Sequence, residues 1–419
     1  MTVLPVPALS LVALVGSADG RAHARSWFDP SEHVGPGAPG TDAGEQDALA
    51  AALRTRIRER LAAGVLTALD AGGLRLHARA ELVALAKEFH ATPVAIVLAA
   101  ATGRAPEEPA GSREDEPPSR KMLEREGFRV VHVLEGGVTS ATLERTRSPT
   151  DRREERGPFD LIGDVHGCLD ELVGLLGRLG YVEHDGSWSH PRRRAVFLGD
   201  LVDRGPASLA CLTLAKGMVE RGRALMVPGN HEAKLVRALR GKNVRPSHGL
   251  ARTLAELDAL EPEQRARAGA ALADFIEGLA SHLVLDDGRL VAAHAGMRRE
   301  LQRRDSGAVR AFALYGETTG EVDAWGLPVR ADWALAYRGE AAVVYGHTPV
   351  PEAQWVNDTI CIDTGCVFGG KLTALRWPER VLVEVPATRT YHEPARPLAR
   401  THLEAAREKT HHRDGSRGP

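Results

Sequence analysis

Five apolar segments of the chain each run into a short group of nitrogen- and oxygen-bearing side chains. "FDLIGDVHG" ends in Asp164 and His166, and "RAVFLGDLVDRG" in Asp200, with Asp203 and Arg204 just beyond. "RALMVPGNHE" ends in Asn230, His231 and Glu232, "RLVAAHAG" in His294, and "AAVVYGHTP" in His347. Segments this apolar read as buried strands, and open α/β sheets assemble their sites at the carboxyl ends of strands. A single histidine after a strand is an ordinary core residue. Five such endings, gathered without a ligand, would leave carboxylates and imidazoles desolvated and uncompensated. Divalent cations remove that cost. Asp164 and His166 are two apart, so they share one face of extended chain. Gly163, Gly199, Gly229 and Gly346 allow the backbone to turn sharply beside them.

The set Asp164, His166, Asp200, Asn230, His294 and His347 offers only nitrogen and oxygen. Such donors favour Mn²⁺, Fe, Zn²⁺, Ni²⁺ or Co²⁺ over a thiolate cluster, and Cys168 reads as a buried neighbour. These residues suffice for two metals if one carboxylate bridges, and two cations about 3.5–4 Å apart clamp an in-line phosphoryl displacement. The leaving oxygen needs a proton from a group with a near-neutral pKa, which in this set is His231. Asp203 would hold that imidazole in register. Arg204 either grips non-bridging phosphoryl oxygens bidentately or forms a salt bridge with Asp203.

The elements that must position these groups fall into two regions. Over residues 8–136, candidate strands "ALSLVALVG", "VLTALDA", "TPVAIVLAA" and "FRVVHVLEG" alternate with amphipathic stretches at 44–64 and 76–90. That alternation predicts a parallel sheet. The Pro-rich acidic segment 104–118 reads as a loop, and 137–157, without apolar periodicity, as a linker. The expected organisation is therefore a first domain at 1–136, a linker at 137–157, a second domain at 158–387 and a mostly disordered tail at 388–419. Within that tail His411 and His412 read as solvated rather than as ligands.

Net charge is near zero, with 54 basic and 56 acidic residues, so no global field draws the chain to nucleic acid or membrane. Four cysteines in 419 residues make no disulfide framework, which fits a reducing cytoplasm. Pro5 and Pro7 interrupt the N-terminal apolar run and no basic segment precedes it, so no signal peptide is expected. No uncharged apolar stretch is long enough to span a membrane.

D-x-H, G-D-x-x-D-R, G-N-H-E, H-A-G and G-H-T-P, in this order, resemble the signature of the calcineurin-like metallophosphoesterases over residues 159–385. The resemblance implies two facing sheets with flanking helices. It also implies one metal held by Asp164, His166 and Asp200, and a second held by Asp200, Asn230, His294 and His347, with Mn²⁺ the leading candidate. "RGKNVRPSHGL", "LYGETTGEVDAWGLPVRADWALAYRG" and "IDTGCVFGGKLTALRWPE" further resemble the phosphatase module of bacterial polynucleotide kinase-phosphatases. "IDTGCVFGGKLTAL" is also similar to symmetrical dinucleoside tetraphosphatases. Asp363 sits where these relatives place an acid near the site; a turn carboxylate is the other reading.

The first domain resembles the kinase module that precedes that phosphatase, in a degenerate form. Ala22 and His23 stand where a phosphate-binding loop carries Lys and Ser/Thr. Nothing there would balance the phosphate charge or ligate Mg²⁺, so no nucleotide-binding residue is expected. The family's Ser-Asp-x-x-Arg segment is replaced by "HVGPGAPGTD".

The overall expectation is an α/β chain: a degenerate P-loop kinase-like parallel sheet followed by a metallophosphoesterase two-sheet sandwich. Its leading activity is a polynucleotide or nucleotide phosphatase, such as 3′-phosphate removal, with phosphorylated nucleic-acid ends or nucleotides as partners. A separate ligase protein is a further partner expectation. A symmetrical dinucleoside tetraphosphatase, a protein Ser/Thr phosphatase and an RNA-end or partner-binding module are the alternatives. Arg237, Lys242 and Arg245, close after the G-N-H-E group, either track a nucleic-acid backbone or form a solvated helix face.

Overall fold

The computed structural model describes residues 2–16, 18–35, 43–71, 76–98, 118–134, 141–322, 326 and 328–394. Residues 36–42 of "HVGPGAPGTD", most of the acidic loop at 104–118, and His411 and His412 lie outside the described residues. The chain divides into two units, Met1–Ser148 with Arg304–Ser306, and Pro149–Arg303 with Gly307–Pro419.

In the first unit five strands form one parallel sheet in the order His33–Val34, Thr67–Asp70, Ser10–Gly16, Thr92–Leu98, Val130–Leu134. The central strand is apolar at almost every position because both its faces are covered, as parallel sheets require. Leu11, Ala13 and Val15 pack against Ile57, Leu61, Leu82 and Ala86. Val12 and Leu14, on the other face, meet Ala24 and Phe28. Ala141–Thr146 falls inside the stretch expected as a linker, yet it is a strand, paired in parallel with Thr2–Pro7. Its side chains are half-buried or exposed, so main-chain hydrogen bonds rather than an apolar stripe define it.

The second unit has two five-stranded sheets. The first runs Ala224–Met226, Arg194–Phe197, Phe159–Ile162, Lys371–Trp377, Val381–Pro386, the leading three strands being parallel. The second runs His282–Leu285, Leu290–Ala293, Ala342–Tyr345, Thr359–Cys361, Trp355–Val356, its central three being parallel. The two sheets face each other across a shared core of Phe159, Leu161, Val196, Leu198, Leu290, Ala292, Val344 and Ile360. Helices cover the outer faces. In Leu169–Leu179, the buried Leu172, Leu175, Leu176 and Leu179 follow the helical spacing that makes one apolar stripe. Gly180, left-handed at φ 90°, ends that helix by donating its N–H to the Leu176 and Gly177 carbonyls.

The segment expected to be a disordered tail begins in an ordered state. Thr388 donates from both its backbone N–H and its hydroxyl to Glu171 Oε1, at 2.8 and 2.9 Å, and Tyr391 Oη donates to the same oxygen at 2.9 Å. A buried carboxylate at the start of a helix is the anchor, and nothing in the polar composition of 388–394 announces it.

Candidate active site

The parallel strands of both sheets deliver their polar groups from their carboxyl ends. Phe159–Ile162 leads to Asp164 and His166, Arg194–Phe197 to Asp200, and Ala224–Met226 to the helix Asn230–Leu239. In the second sheet Leu290–Ala293 runs directly into His294, Ala342–Tyr345 leads to His347, and Thr359–Cys361 leads to Asp363. Asp164, His166, Asp200, His231, His294 and Asp363 are all buried.

The backbone at these turns is unusual. His166, Asp200, Asp203, Arg204 and His347 hold φ of 47°, 51°, 73°, 69° and 73°. That region is sparsely populated by residues with a side chain and clusters at functional sites. Asp164 and His166 therefore do not share a face of extended chain; the chain has left the strand before His166. Of the four glycines expected to make the turns, only Gly199 has positive φ, 89°. Gly229 and Gly346 serve close approach instead. A Cβ on Gly229 would stand 2.1 Å from Asp200 Oδ1, and one on Gly346 2.0 Å from Asp164 Oδ1.

Glu232, quoted in the sequence motif but given no role there, ties the turns together. Its Oε2 accepts from the backbone N–H groups of Asp200 (2.7 Å) and Gly229 (2.8 Å), and its Oε1 from Leu201 N–H (2.7 Å). Asp200 Oδ1 accepts from His231 N–H at 3.0 Å, which leaves Oδ2 turned toward the histidines. That oxygen lies 3.6 Å from His166 Nε2, 3.5 Å from His294 Nε2 and 3.9 Å from His231 Nε2.

Both His166 and His294 are locked by their other nitrogens. His166 Nδ1 donates to the Val202 carbonyl at 2.8 Å, and His294 Nδ1 to the Leu198 carbonyl at 3.0 Å. A carbonyl only accepts, so in the neutral rings Nε2 carries the lone pair. Around His294 Nε2 stand Asn230 Oδ1 at 2.9 Å and His347 Nδ1 at 3.0 Å, besides Asp200. His347 Nε2 is buried with no hydrogen-bond partner among the described residues. Asp200 Oδ2, Asn230 Oδ1 and the His294 Nε2 lone pair thus converge with no more than the ring proton of His347 among them, an excess of acceptors that a cation relieves. Asp200 with His294 and His347, and Asp200 with His166 and His231, each form a buried group close enough to hold a metal ion.

Electrostatics tell the same story. Burial, then the nearby carboxylates of Asp363 and Asp200, push Asp164 well above the usual carboxylate range. Burial raises Asp200 to about 7 and Asp363 to about 6. Burial lowers His294 to about 4, and burial followed by the Arg204 charge drives His166 well below its ordinary value. Burial here disfavours the charged forms of these carboxylates and imidazoles; divalent cations fit this donor set and reverse that preference.

The remaining expected residues divide. Asp203 is buried and accepts from His231 Nδ1 at 2.6 Å and from Thr253 Oγ1 at 2.5 Å. Its backbone N–H donates to Ser208 Oγ at 2.9 Å. Arg204 is not committed to Asp203; its guanidinium lies 2.6 Å from His166 Nε2. Asp164 accepts from His347 N–H, at 3.1 Å to its nearer oxygen, and does not belong to either metal-sized group. Asp363 Oδ1 accepts from Gly365 N–H at 3.0 Å while its charge raises Asp164, so it is both a turn carboxylate and a neighbour of the site. Arg237 is exposed on the helix Asn230–Leu239, and Lys242 and Arg245 are exposed on the loop after it. Arg330, which carries no signal in sequence, adds a positive charge that lowers His294 and His347. Cys168 and Cys366 lie with Glu171 in another buried group, but Glu171 is already occupied by Thr388 and Tyr391.

The calcineurin-like phosphoesterase family matches residues 157–351. A bis(5'-nucleosyl)-tetraphosphatase PrpE [asymmetrical] of Anoxybacillus flavithermus is 47% identical over 234 residues, covering 56% of this chain and 96% of that protein. This chain belongs to the calcineurin-like phosphoesterases. It is a phosphoester hydrolase. Proteins of the same name from Geobacillus thermodenitrificans and Bacillus subtilis are 49% identical over 231 residues and 45% over 236; the matches cover 55% and 56% of this chain and 94% and 97% of those proteins. Among the described residues of this phosphoesterase, no helix is long and apolar enough to cross a membrane.

Proposed function

We propose that the chain hydrolyses dinucleoside tetraphosphates, with two divalent cations held by Asp164, His166, Asp200, Asn230, His294 and His347. The observation that carries this reading is identity of 47% extending over 96% of a relative named as such a tetraphosphatase. The relatives' names specify asymmetrical cleavage, whereas the motif resemblance pointed to the symmetrical kind; the asymmetrical outcome, a nucleoside triphosphate and a monophosphate, is the one proposed here. When bound, the cations supply Lewis acidity at the phosphoryl oxygens and a water acidic enough to attack at neutral pH.

The chain's own residues do the rest. Asp203 accepts from Nδ1 of the protonated His231 ring, whose Nε2–H passes its proton to the leaving phosphate oxygen and leaves the neutral ring that burial favours. Arg204 binds the non-bridging oxygens of the reacting phosphate, for which its guanidinium is free of Asp203. Glu232 holds the turns that carry Asp200 and Asn230.

A second reading, removal of phosphate from polynucleotide ends, is favoured by the exposed cations Arg237, Lys242 and Arg245 on the Asn230–Leu239 helix and the loop after it, and by the parallel-sheet unit that precedes the phosphoesterase. The deciding experiment offers the Mn²⁺-supplemented protein diadenosine tetraphosphate, a 3′-phosphorylated oligonucleotide and a phosphopeptide, and separates the products by chromatography. ATP with AMP supports the proposal, and two ADP point to symmetrical cleavage. Phosphate released from the oligonucleotide or the peptide alone replaces the proposal with an end-repair or a protein phosphatase.

A further inference from the structure

The residues above act on the reacting phosphate. Beside Arg204 the second unit also carries rings and a further guanidinium that this chemistry leaves unused. The Arg204 guanidinium lies over the Phe368 ring, 5.3 Å from its centroid, and Phe368 meets His392 with centroids 6.2 Å apart and planes tilted by 49°. Arg252 donates to the Arg204 carbonyl at 3.2 Å. Gly249, where a Cβ would stand 2.3 Å from Arg204 N, brings His248 and Arg252 against the same turn.

His392 is exposed, yet its backbone is fixed. Tyr391 and His392 both donate their N–H groups to the Val367 carbonyl at 3.0 Å, and Glu171 holds Thr388 and Tyr391. An aromatic ring is thus presented to solvent on a preset main chain, beside the turn that carries Phe368. Burial, Lys234 and Arg204 lower His248, and burial, Arg204 and Arg252 lower His392. Both rings are thereby biased toward the neutral form. Of the nearby acids, Asp203 is turned inward to His231 and Thr253, and Glu393 adjoins His392. Positive charge attracts phosphates, and flat neutral rings take a base by stacking.

We propose that Arg252, Phe368 and His392, with Arg204 and His248 between them, seat the nucleoside polyphosphate portion of the substrate beyond the scissile phosphate. The base lies against the His392 and Phe368 rings, and the phosphates run along Arg252 and His248. The identity of the substrate rests on the tetraphosphatase reading; the seat is testable by binding alone.

The test is calorimetric titration of the full chain, with Mn²⁺ present, by adenosine 5′-(β,γ-methylene)triphosphate and by inorganic tripolyphosphate. The wild-type chain is expected to bind the nucleotide about tenfold more tightly than tripolyphosphate, the increment a stacked base supplies. His392→Ala should remove most of that preference and His392→Phe restore it, a rescue that a merely structural role would not produce. Arg252→Gln should weaken both ligands by roughly tenfold, as loss of a phosphate contact does. Equal binding of the two ligands by the wild-type chain overturns the proposal, and so does a preference that survives His392→Ala. A chain that shows the expected pattern but leaves diadenosine tetraphosphate intact keeps the seat and loses the activity assigned above. A chain that cleaves the tetraphosphate but binds both ligands equally keeps the activity and loses the seat.

Discussion

The two units finish their parallel strands in opposite ways. In the first, the strands Ser10–Gly16 and Thr67–Asp70 end side by side, and the helix Ala18–Arg25 follows the first of them. Arg21 Nε pairs with Asp70 Oδ1 at 2.5 Å, Arg25 pairs with the other oxygen, and Arg21 also donates to the Gly16 carbonyl. Opposite charges there face one another, although the buried Arg21 Nε meets Asp70 as an ion pair and not as a hydrogen bond. In the second unit the strand ends present Asn230 Oδ1, Asp200 Oδ2 and His294 Nε2 to one another, acceptor against acceptor, with His347 Nδ1 beside them. Bringing strand ends together is common to both units; an excess of acceptors is not. That imbalance, rather than the convergence, makes a place for cations.

The contrast can be attacked in order of the effect expected. Asp200→Ala, or chelation of the wild-type chain, should reduce phosphoester hydrolysis by about a thousandfold or more, because the oxygen common to both metal-sized groups is lost. Rates with and without chelator measure this, and undiminished hydrolysis would show that the acceptor excess serves something other than cations. His231→Ala should slow substrates with poor leaving groups by about 10²–10⁴-fold and a nitrophenyl ester much less, since a good leaving group needs no proton. Equal losses on both substrates would remove the acid role.

Glu232→Gln is expected to cost roughly 10–100-fold in metal affinity or activity, the usual price of a lost outer partner. Titration of activity with Mn²⁺ would show whether the loss lies in affinity. A smaller effect concerns pH. Burial raises Asp200 and Glu232 to about 7 and Asp203 and Asp363 to about 6, above the unfolded value near 4. Their stabilising contribution is complete below pH ~4 and lost as pH rises through those values. The buried histidines, shifted downward, oppose this below pH ~6.5 and add nothing above it. The Tm of the chelated chain should therefore fall between about pH 6.5 and 7.5, and the Tm gain on adding Mn²⁺ should grow over the same range. A flat Tm in chelator contradicts it. Smallest of all, Asp70→Asn in the first unit should leave hydrolysis within about twofold and lower Tm by roughly 2–4 °C, as the loss of one local contact does in a protein this large. A large change in rate would erase the distinction between the units.

Much of the site is readable in sequence because each ligand follows an apolar strand, and strand ends in such sheets share an edge. His231 and Asp203 were legible for the same reason, and they meet at 2.6 Å. Glu232 was not assigned a role, because a carboxylate that serves three backbone N–H groups looks like any polar residue opening a helix. The turns differ from what composition predicts: left-handed φ falls on Asp, His and Arg as well as on Gly199. Ala141–Thr146 and 388–394 were hidden because main-chain hydrogen bonds and one distant acid, Glu171, order them without an apolar pattern.

The left-handed backbone at His166, Asp200, Asp203, Arg204 and His347 sets the molecule's stability against its use. Each such residue strains the fold by about 1–3 kcal/mol. Glycine at these positions would relax the chain and empty the centre, so a screen for heat resistance alone would drift toward robust, inert variants.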